Sequence, residues 1–285
     1  TGIRERRICT SESLTDLAWK AAEKALEDSG ILPEELDMIL CATMSGDYAT
    51  PSMACVIQAK LGAKCPAMDF NAACSGFLYG LDIAAGYFAR NPNQHILLVA
   101  AEAMSRLVDW QDRSTCVLFG DGAGAVVLGP GDDMLAIRLT ASGIVAPLYA
   151  SNGWGNSPFR EEQLQKNGYL RMNGQEVFKF AVTTMVQSVE QTLMQANLEK
   201  SDLAYVLPHQ ANIRIIDSAM QRLKMPREKC LVNIENHGNT SAACVAILLD
   251  ESSKTGRFHK GDLLALTAFG GGLTSGACIL RWNKE

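Results

Sequence analysis

The stretch AMDFNAACSGFLYGLDIAAGYFAR, residues 67–90, decides the fold class because an apolar strand pattern passes directly into a helical one. Strands that alternate with helices are typical of an α/β fold. Cys74 lies at the transition, where the positive end of the helix dipole is expected to lower the pKa of a thiol and favour the thiolate. The position suits a nucleophile, and it also suits a small buried core residue, which is the commoner role of cysteine.

The composition is that of an ordinary globular protein, with 285 residues, 47% of them apolar and 20% charged, and a net charge of −5. A net negative charge disfavours general binding to nucleic acid. No apolar run approaches the roughly 18 residues that a membrane-spanning helix requires. Nine cysteines without a C-x-x-C pair and four unclustered histidines disfavour a disulfide framework or a zinc site. We therefore expect a cytoplasmic, reduced protein with no nucleic-acid or membrane partner.

Helical and strand patterns alternate in an order that occurs twice: helix, strand, helix, strand, helix, strand, strand. We infer a duplicated fold with halves at 1–150 and 151–285; the alternative is a chance resemblance between generic βα units. The segment 151–165 is expected to be a surface loop. In the first half the predicted elements are 13–29, 38–43, 51–62, 67–72, a helix opened by Cys74, 95–104 and 117–129. In the second half they are 174–198, 199–212, 213–225, 230–239, 240–256, 262–272 and 276–282.

The duplication suggests where a site would form, because ligands of α/β sheets bind beyond the carboxyl ends of strands. Cys74 follows one such strand, Asn239 follows the matching strand of the second half, and His209 follows another. Packed about a pseudo-twofold axis, these strand ends would bring a thiol, an imidazole and an amide together. Taken singly, His209 also reads as an ordinary strand-end histidine, and Asn239 as a helix cap or turn residue. The motif GDGAG at 120–124 reads as a tight turn between strands.

Five motifs in register resemble the type III β-ketoacyl-acyl carrier protein synthases of the thiolase superfamily. They are NAACSGF (71–77), FGDGAGAVVL (119–128), PHQANIRII (208–216), NHGNTSAA (236–243) and AFGGGLTSG (268–276). The resemblance implies an α/β fold of two thiolase-like halves in a five-layered α/β/α/β/α arrangement, usually a homodimer. The family has further residues upstream of the position of Thr1, and without them a central strand of the first half is unaccounted for; either the sequence is a fragment or the fold is altered.

The family initiates type II fatty-acid synthesis by a decarboxylating Claisen condensation. By resemblance, an acyl-CoA acylates Cys74, and malonyl-acyl carrier protein then loses CO2 and attacks the acyl group to give a 3-oxoacyl-acyl carrier protein. His209 and Asn239 would hydrogen-bond to the malonyl thioester carbonyl and stabilise the enolate. The backbone N–H groups of Cys74 and Gly271 would form the oxyanion hole of the acyl-enzyme. No metal or organic cofactor is implied, since the coenzyme A thioester is a substrate.

The resemblance also assigns substrate contacts. Arg113 would stack on the adenine of coenzyme A, and Thr50 would reach the acyl pocket of the partner subunit. Because some relatives carry phenylalanine at Thr50, we expect longer or more branched primers than acetyl. Arg222 reads equally well as an ordinary solvated cation. The residues expected to line the pantetheine tunnel are Gly174, Phe178, Ala211 and Asn212, and those expected to dock the carrier protein are Gln210, Arg214 and Arg222.

Single residues separate this sequence from related classes. Phe269 occupies the place of the second cysteine of thiolases, and Asn239 that of the second histidine of elongating synthases. Two alternatives stay open beside the starter synthase. One is an acyltransferase of secondary metabolism that makes an ester, an amide or a polyketide starter. The other is a non-catalytic partner that sets chain length, although such a subunit usually lacks the cysteine.

Overall fold

The computed structural model describes residues 1–151, 159 and 168–284. The helices are α1 (Leu14–Ser29), α2 (Met53–Leu61), α3 (Gly76–Arg90), α4 (Gly174–Gln195), α5 (Ile213–Leu223), α6 (Ile234–His237) and α7 (Ala243–Lys254). The strands are β1 (Met38–Ala42), β2 (Ala67–Phe70), β3 (Ile96–Ala103), β4 (Asp121–Leu128), β5 (Met134–Ile144), β6 (Leu148–Ala150), β7 (Leu170–Met172), β8 (Leu203–Pro208), β9 (Leu263–Gly270) and β10 (Gly272–Arg281).

Helix α1 illustrates how local sequence sets these bounds. The Ser13 hydroxyl accepts a hydrogen bond from the backbone N–H of Asp16, and the Asp16 carboxylate accepts one from the backbone N–H of Ser13. This reciprocal capping box satisfies free backbone groups at the start of the helix. Gly30 ends the helix in the left-handed conformation, with φ of 72°. The predicted start and stop of this helix are confirmed.

Two sheets of four strands form the frame of the molecule. The first has the order β2-β1-β3-β4 and the second β5-β10-β9-β8. Strands β1, β2 and β3 run parallel, and β4 runs antiparallel to β3. The second sheet repeats this plan, since β8 and β9 are parallel and β10 is antiparallel.

Alternate residues of each sheet face different helix layers, as the strand period requires. In β1, Ile39 and Cys41 pack with α1 and α2, whereas Leu40 and Ala42 pack with α3 and α7. The core that contains α3 and α7 also includes Leu266 and other residues of the second sheet. Helices α4 and α5 cover the far face of that sheet. The predicted five-layered α/β/α/β/α architecture is confirmed.

Sheet membership corrects two expectations. Strand β5 pairs with β10, so the change from the first sheet to the second falls between Leu128 and Met134, earlier than the expected boundary at 150. Strand β1 also pairs directly with β3, so the first sheet has no vacant central position. Among the described strands, β4 has a neighbour only in β3, whereas its counterpart β10 is flanked by β9 and β5. The first sheet therefore differs from the second at its outer edge.

Two smaller expectations also change. The strand predicted at 230–239 is reduced to two isolated bridges, Val206 with Cys230 and Phe119 with Asn239, on either side of α6. The motif at 120–124 lies at the start of strand β4 rather than in a turn. A Cβ at Gly124 would lie 2.7 Å from the Cβ of Ala246, so its glycines let α7 approach the sheet. The predicted surface loop 151–165 lies outside the described residues, apart from Ser151 and Phe159.

Within the described ranges, no helix combines the length and the apolar character that crossing a membrane demands.

Candidate active site

Cys74 sits in a single 3-10 turn, residues 73–75, between β2 and α3. The preceding residue, Ala73, has φ of 48°, a left-handed conformation that costs free energy in a residue with a Cβ. A Cβ at Gly76 would lie 2.9 Å from the Cβ of Ala42 and 3.1 Å from that of Ala242. The close approach at Gly76 lets the start of α3 lie between the first sheet and the residues that lead into α7. The nucleophile candidate is therefore held at the junction of the two halves.

The end of β9 lies directly against Cys74. A Cβ at Gly270 would lie 2.7 Å from the backbone nitrogen of Cys74, a distance that real Cβ atoms do not reach. Gly271 is next in the chain, and a Cβ there would lie 3.8 Å from the Cβ of Ala73. The two backbone segments expected to form the oxyanion hole are therefore neighbours. Glycine is required at 270 because its missing side chain lets the strand approach the nucleophile.

His209 follows β8 and is 1% exposed. Its backbone N–H donates to the carbonyl of Thr267 over 2.8 Å. Neither ring nitrogen has a hydrogen-bond partner in the described part of the chain, although both are buried. Desolvation by burial lowers the pKa of the imidazole to about 3, so the ring is neutral at physiological pH. A buried polar group without a partner is uncommon in folded proteins and is suited to a partner supplied by substrate.

Asn239 lies in the connection between α6 and α7, where the second half touches the first. Its backbone N–H donates to the carbonyl of Leu118 over 2.9 Å, and its own carbonyl accepts from the N–H of Gly120 over 3.0 Å. The side-chain Oδ1 accepts a hydrogen bond from the backbone N–H of Ser241 over 2.9 Å. With its oxygen occupied in this way, the amide retains two N–H donors on Nδ2.

Two residues connect the three candidates. The Ser241 hydroxyl donates to the Cys74 sulfur over 3.3 Å, while its backbone N–H holds Asn239. The Phe269 ring contacts the imidazole of His209 edge-on, with centroids 5.3 Å apart, and the next residue is the glycine that abuts Cys74. Cys74, His209 and Asn239 therefore converge on one buried site. Sequence reasoning did not select Ser241, although it lies within the motif at 236–243 that contains Asn239.

The environment of Cys74 corrects one expectation. Desolvation by burial raises the pKa of its thiol to about 12, and the hydrogen bond from Ser241 only partly opposes that rise. Burial therefore outweighs the expected lowering of the pKa by the helix dipole. Burial thus favours a neutral thiol at Cys74 and a neutral imidazole at His209.

The expected coenzyme A contacts lie at different depths. Arg113 is exposed in the segment before β4, and Thr50 is exposed in the loop between β1 and α2. Gly174 is the exposed first residue of α4. Phe178 and Ala211 are half-buried against the cluster that contains Phe269, and the backbone N–H of Ala211 donates to the carbonyl of His209 over 3.1 Å.

The expected contacts on α5 divide into structural and exposed residues. The side chain of Asn212 caps α5 by accepting from the backbone N–H of Arg214 over 3.0 Å. Gln210 is 1% exposed; its Nε2 donates to the carbonyl of Pro208, and its Oε1 accepts from two backbone N–H groups at 233 and 234. This burial argues against the expected docking role of Gln210, because a buried amide bonded to the backbone offers no surface to a carrier protein. Arg214 and Arg222 are exposed, in the first and last turns of α5.

Comparison with known proteins places this site in a family. The model of the 3-oxoacyl-[acyl-carrier-protein] synthase III family matches residues 68–143, and its C-terminal model matches 193–282. A β-ketoacyl-[acyl-carrier-protein] synthase III of Clostridium acetobutylicum is 44% identical over all of this chain and 89% of its own length. The crystal structure of the 3-oxoacyl-[acyl-carrier-protein] synthase III of Aquifex aeolicus superimposes with a TM-score of 0.91 at 45% identity, covering 99% of this chain and 89% of that one.

A second kind of relative has nearly the same structure. The priming β-ketosynthase of the R1128 polyketide pathway superimposes with a TM-score of 0.93 at 36% identity, over all of this chain and 86% of that one. Two family models in order along the chain, with relatives near 45% identity over almost its whole length, settle the relationship. This chain belongs to the β-ketoacyl-acyl carrier protein synthase III family, the condensing acyltransferases that initiate fatty-acid synthesis.

Proposed function

We propose that Cys74 accepts an acyl group from acyl-coenzyme A, and that His209 and Asn239 then stabilise the enolate formed when malonyl-acyl carrier protein loses CO2. The observation that carries the proposal is the buried, neutral imidazole of His209, whose nitrogens have no partner among the described residues. A neutral imidazole can donate an N–H to an enolate oxygen and needs no prior change of charge. The imidazole contacts Phe269, and the next residue, Gly270, lies against Cys74, so His209 lies close to the proposed nucleophile.

The first half-reaction is acyl transfer. The sulfur of Cys74 forms a bond to the acyl carbon, the bond from that carbon to the coenzyme A sulfur breaks, and the proton of Cys74 ends on the coenzyme A thiol. The backbone N–H groups of Cys74 and Gly271 would stabilise the oxyanion that forms in passing. Because burial disfavours a free thiolate at Cys74, loss of the proton accompanies attack rather than preceding it.

The second half-reaction makes the new carbon–carbon bond. The bond from the malonyl methylene to its carboxylate breaks, CO2 leaves, and the electron pair moves onto the thioester oxygen as an enolate. Donors on His209 and Asn239 receive that charge. The methylene carbon then attacks the acyl carbon, the bond to Cys74 breaks, and the cysteine thiolate takes up a proton. The product is a 3-oxoacyl thioester on the carrier protein.

The exposed and half-buried residues around the site make the contacts with the substrates. Arg113 stacks on the adenine, and Gly174, Phe178, Ala211 and Asn212 border the pantetheine arm. Arg214 and Arg222 offer positive charge to the acidic carrier protein. The chain works as a homodimer in which Thr50 reaches the acyl pocket of the other protomer. The nine free thiols fit the reducing conditions of the cytoplasm.

A priming role in polyketide synthesis is the second candidate, because the R1128 priming β-ketosynthase shares this structure. The chemistry at Cys74 would be the same, and only the primer and the carrier protein would differ. Fatty-acid synthesis stands first because the relatives near 45% identity are named β-ketoacyl-[acyl-carrier-protein] synthase III and not polyketide priming enzymes.

The test is intact-mass analysis of the reduced protein after exposure to acetyl-, isobutyryl- and octanoyl-coenzyme A, with peptide mapping and CO2 release from malonyl-carrier protein. We expect an acyl adduct on Cys74 and a 3-oxoacyl-carrier protein product that depends on it, both lost in Cys74→Ala, together with CO2 release from malonyl-carrier protein. Cys9→Ala is the matched control, because it removes a more accessible thiol outside the site. An adduct without CO2 release would favour an ester- or amide-forming acyltransferase. No adduct on folded protein would favour a non-catalytic subunit.

A further inference from the structure

Ser241 occupies a strained position at the entrance to α7. It lies two residues after Asn239, and none of its surface reaches solvent. Its φ is 52°, in the left-handed region that glycine adopts freely and that a residue with a Cβ adopts at a cost. A serine in a conformation that favours glycine indicates that the serine side chain has a role that glycine could not fill.

The backbone of Ser241 acts on Asn239. Its N–H donates to the Asn239 Oδ1 over 2.9 Å, and the thiol of Cys244 faces the same oxygen at 3.8 Å. The two ends of an amide differ chemically, so donors at the oxygen fix which end points away. Cys244 is itself held by the backbone N–H and hydroxyl of Thr240, at 3.2 and 3.3 Å. The orientation of Asn239 therefore depends on backbone and thiol donors and not on the Ser241 hydroxyl.

The hydroxyl of Ser241 acts on the nucleophile. Its Oγ lies 3.3 Å from the Cys74 sulfur, within hydrogen-bond distance for a donor to sulfur. A donated hydrogen bond is stronger when the acceptor carries charge, so it favours the thiolate over the thiol. The hydroxyl is directed at the sulfur that must carry negative charge during the reaction.

We propose that the Ser241 hydroxyl is a catalytic hydrogen-bond donor to the sulfur of Cys74, needed for acyl transfer and not for decarboxylation. The proposal rests on the proposed function. During acylation the Ser241 hydroxyl keeps its own proton and stabilises charge on the sulfur while the Cys74 proton passes to coenzyme A. When the sulfur–acyl bond breaks in the condensation, the same hydroxyl stabilises the departing thiolate.

Two variants separate the hydroxyl from the backbone. Ser241→Ala removes the hydroxyl and keeps the strained backbone, whereas Ser241→Gly removes it and relieves the strain. Both keep the N–H that holds Asn239. We expect both variants to react about tenfold more slowly with iodoacetamide at each pH between 7 and 9, and to acylate about tenfold more slowly from acyl-coenzyme A, since a hydrogen bond to a charged group is lost. CO2 release from malonyl-carrier protein without acyl-coenzyme A should stay within about twofold of wild type, because donor geometry at Asn239 is unchanged.

Ser188→Ala is the matched control, since Ser188 is also buried but lies on α4, away from the site. Unchanged alkylation of both Ser241 variants would overturn the proposal, because the hydroxyl would then have no effect on the sulfur. An equal fall in acylation and CO2 release would also overturn it and would assign Ser241 a purely structural role. Alkylation needs no substrate, so it tests the hydroxyl even if wild-type Cys74 accepts no acyl group. Failure of the wild type to accept an acyl group would contradict the proposed function and not the hydrogen bond from Ser241.

Discussion

The ring of Phe269 stands edge-on to the imidazole of His209, with 5.3 Å between the ring centroids and 76° between their planes. Because no hydrogen bond to a ring nitrogen orients His209 within the described residues, this packing contact takes the place of the carboxylate that orients histidine in many catalytic sites. The imidazole is thus positioned by apolar packing, and both nitrogens stay available to a substrate.

Phe269→Leu should slow decarboxylation and leave acyl transfer intact. Loss of the edge-on contact is expected to lower the decarboxylation rate roughly three- to tenfold, because that rate depends on the orientation of the His209 imidazole. The measurement is CO2 release from malonyl-carrier protein, with the acyl load on Cys74 determined by mass in the same samples. Phe180→Leu is the control, since Phe180 contacts Phe269 at a centroid distance of 6.5 Å and has no ring contact with His209. Equal effects in the two variants would contradict an orienting role for Phe269.

Gly270→Ala should abolish acylation. The new Cβ would lie 2.7 Å from the Cys74 nitrogen, which belongs to the backbone and cannot rotate away. A displacement approaching 1 Å at a reacting centre is expected to reduce the rate at least about a hundredfold. Acyl transfer from acyl-coenzyme A, followed by mass, is the measurement.

Gly86→Ala is the control for Gly270→Ala. Gly86 lies in the same helix that begins beyond Cys74, but nothing lies within 4 Å of a Cβ placed there. We expect full acylation and a gain in stability of about 0.5–1 kcal/mol, since alanine is favoured over glycine in a helix. Active Gly270→Ala protein would show that the close approach at Gly270 is dispensable.

Glu102 should make the stability of the fold depend on pH. It lies near the end of β3, is 1% exposed, and accepts from the Met44 N–H at 3.2 Å and from the Ser45 hydroxyl at 2.5 Å. Desolvation by burial raises the pKa of its carboxyl from 4.5 to about 8. Between those values the folded state holds the proton more tightly than the unfolded state, so stability falls as pH rises.

Glu102→Gln removes this titration while keeping the shape and the acceptor oxygen. Relative to the variant, the wild type should lose about 1.4 kcal/mol of unfolding free energy for each pH unit through most of the interval from 5 to 8. Urea unfolding at a series of pH values gives the two curves. Parallel curves would mean that Glu102 is already ionised in the folded protein at pH 5.

Arg214→Glu should weaken docking of the carrier protein and spare the reaction with coenzyme A thioesters. Arg214 is exposed in the first turn of α5, two residues after the Asn212 cap. Reversal of a rim charge is expected to raise the KM for malonyl-carrier protein roughly tenfold, with a weaker salt dependence. Arg222→Glu tests the far end of the same helix. An equal rise in the KM for malonyl-carrier protein in both variants would indicate that the carrier protein contacts the whole length of α5. An unchanged KM in both variants would show that α5 is not part of the docking surface.

Thr50→Phe should narrow the range of primers. Added bulk in the acyl pocket would lower the rate with octanoyl-coenzyme A relative to acetyl-coenzyme A by at least about tenfold. Initial rates with the two thioesters give the ratio. Light scattering on the same samples tests the dimer on which the assignment depends. A monomer, or an unchanged ratio, would contradict a role for Thr50 in the partner's pocket.

The sequence was sufficient for the layers, and it selected three side chains that lie around one buried site. Strand ends and helix starts are local signals: Cys74 and His209 each follow a strand, whereas Asn239, expected to follow one, lies between α6 and α7. The five-layered arrangement came from the family resemblance and is confirmed by the alternation of core residues along β1. The roles of the side chains in the reaction stay predictions.

Other features depend on contacts that no local pattern encodes. The rise in the pKa of Cys74 comes from burial beneath both halves, which a strand-to-helix signal cannot reveal. Gln210 sits in a family motif, yet its bonds run inward to the backbone at 233 and 234, so motif membership suggested a surface role that burial forbids. The membership of β5 in the second sheet depends on its pairing with β10, more than a hundred residues later in the chain.

The junction of the halves has a consequence during synthesis. Cys74 emerges from the ribosome with the first half, but Ser241 and Gly270, which enclose its sulfur and backbone, are made 167 and 196 residues later. Before they are made, the thiol would lack the desolvation that raises its pKa in the finished fold, so we expect a nascent chain to expose a more acidic and more easily alkylated cysteine. Docking of the second half therefore both builds the site and protects its nucleophile from stray electrophiles.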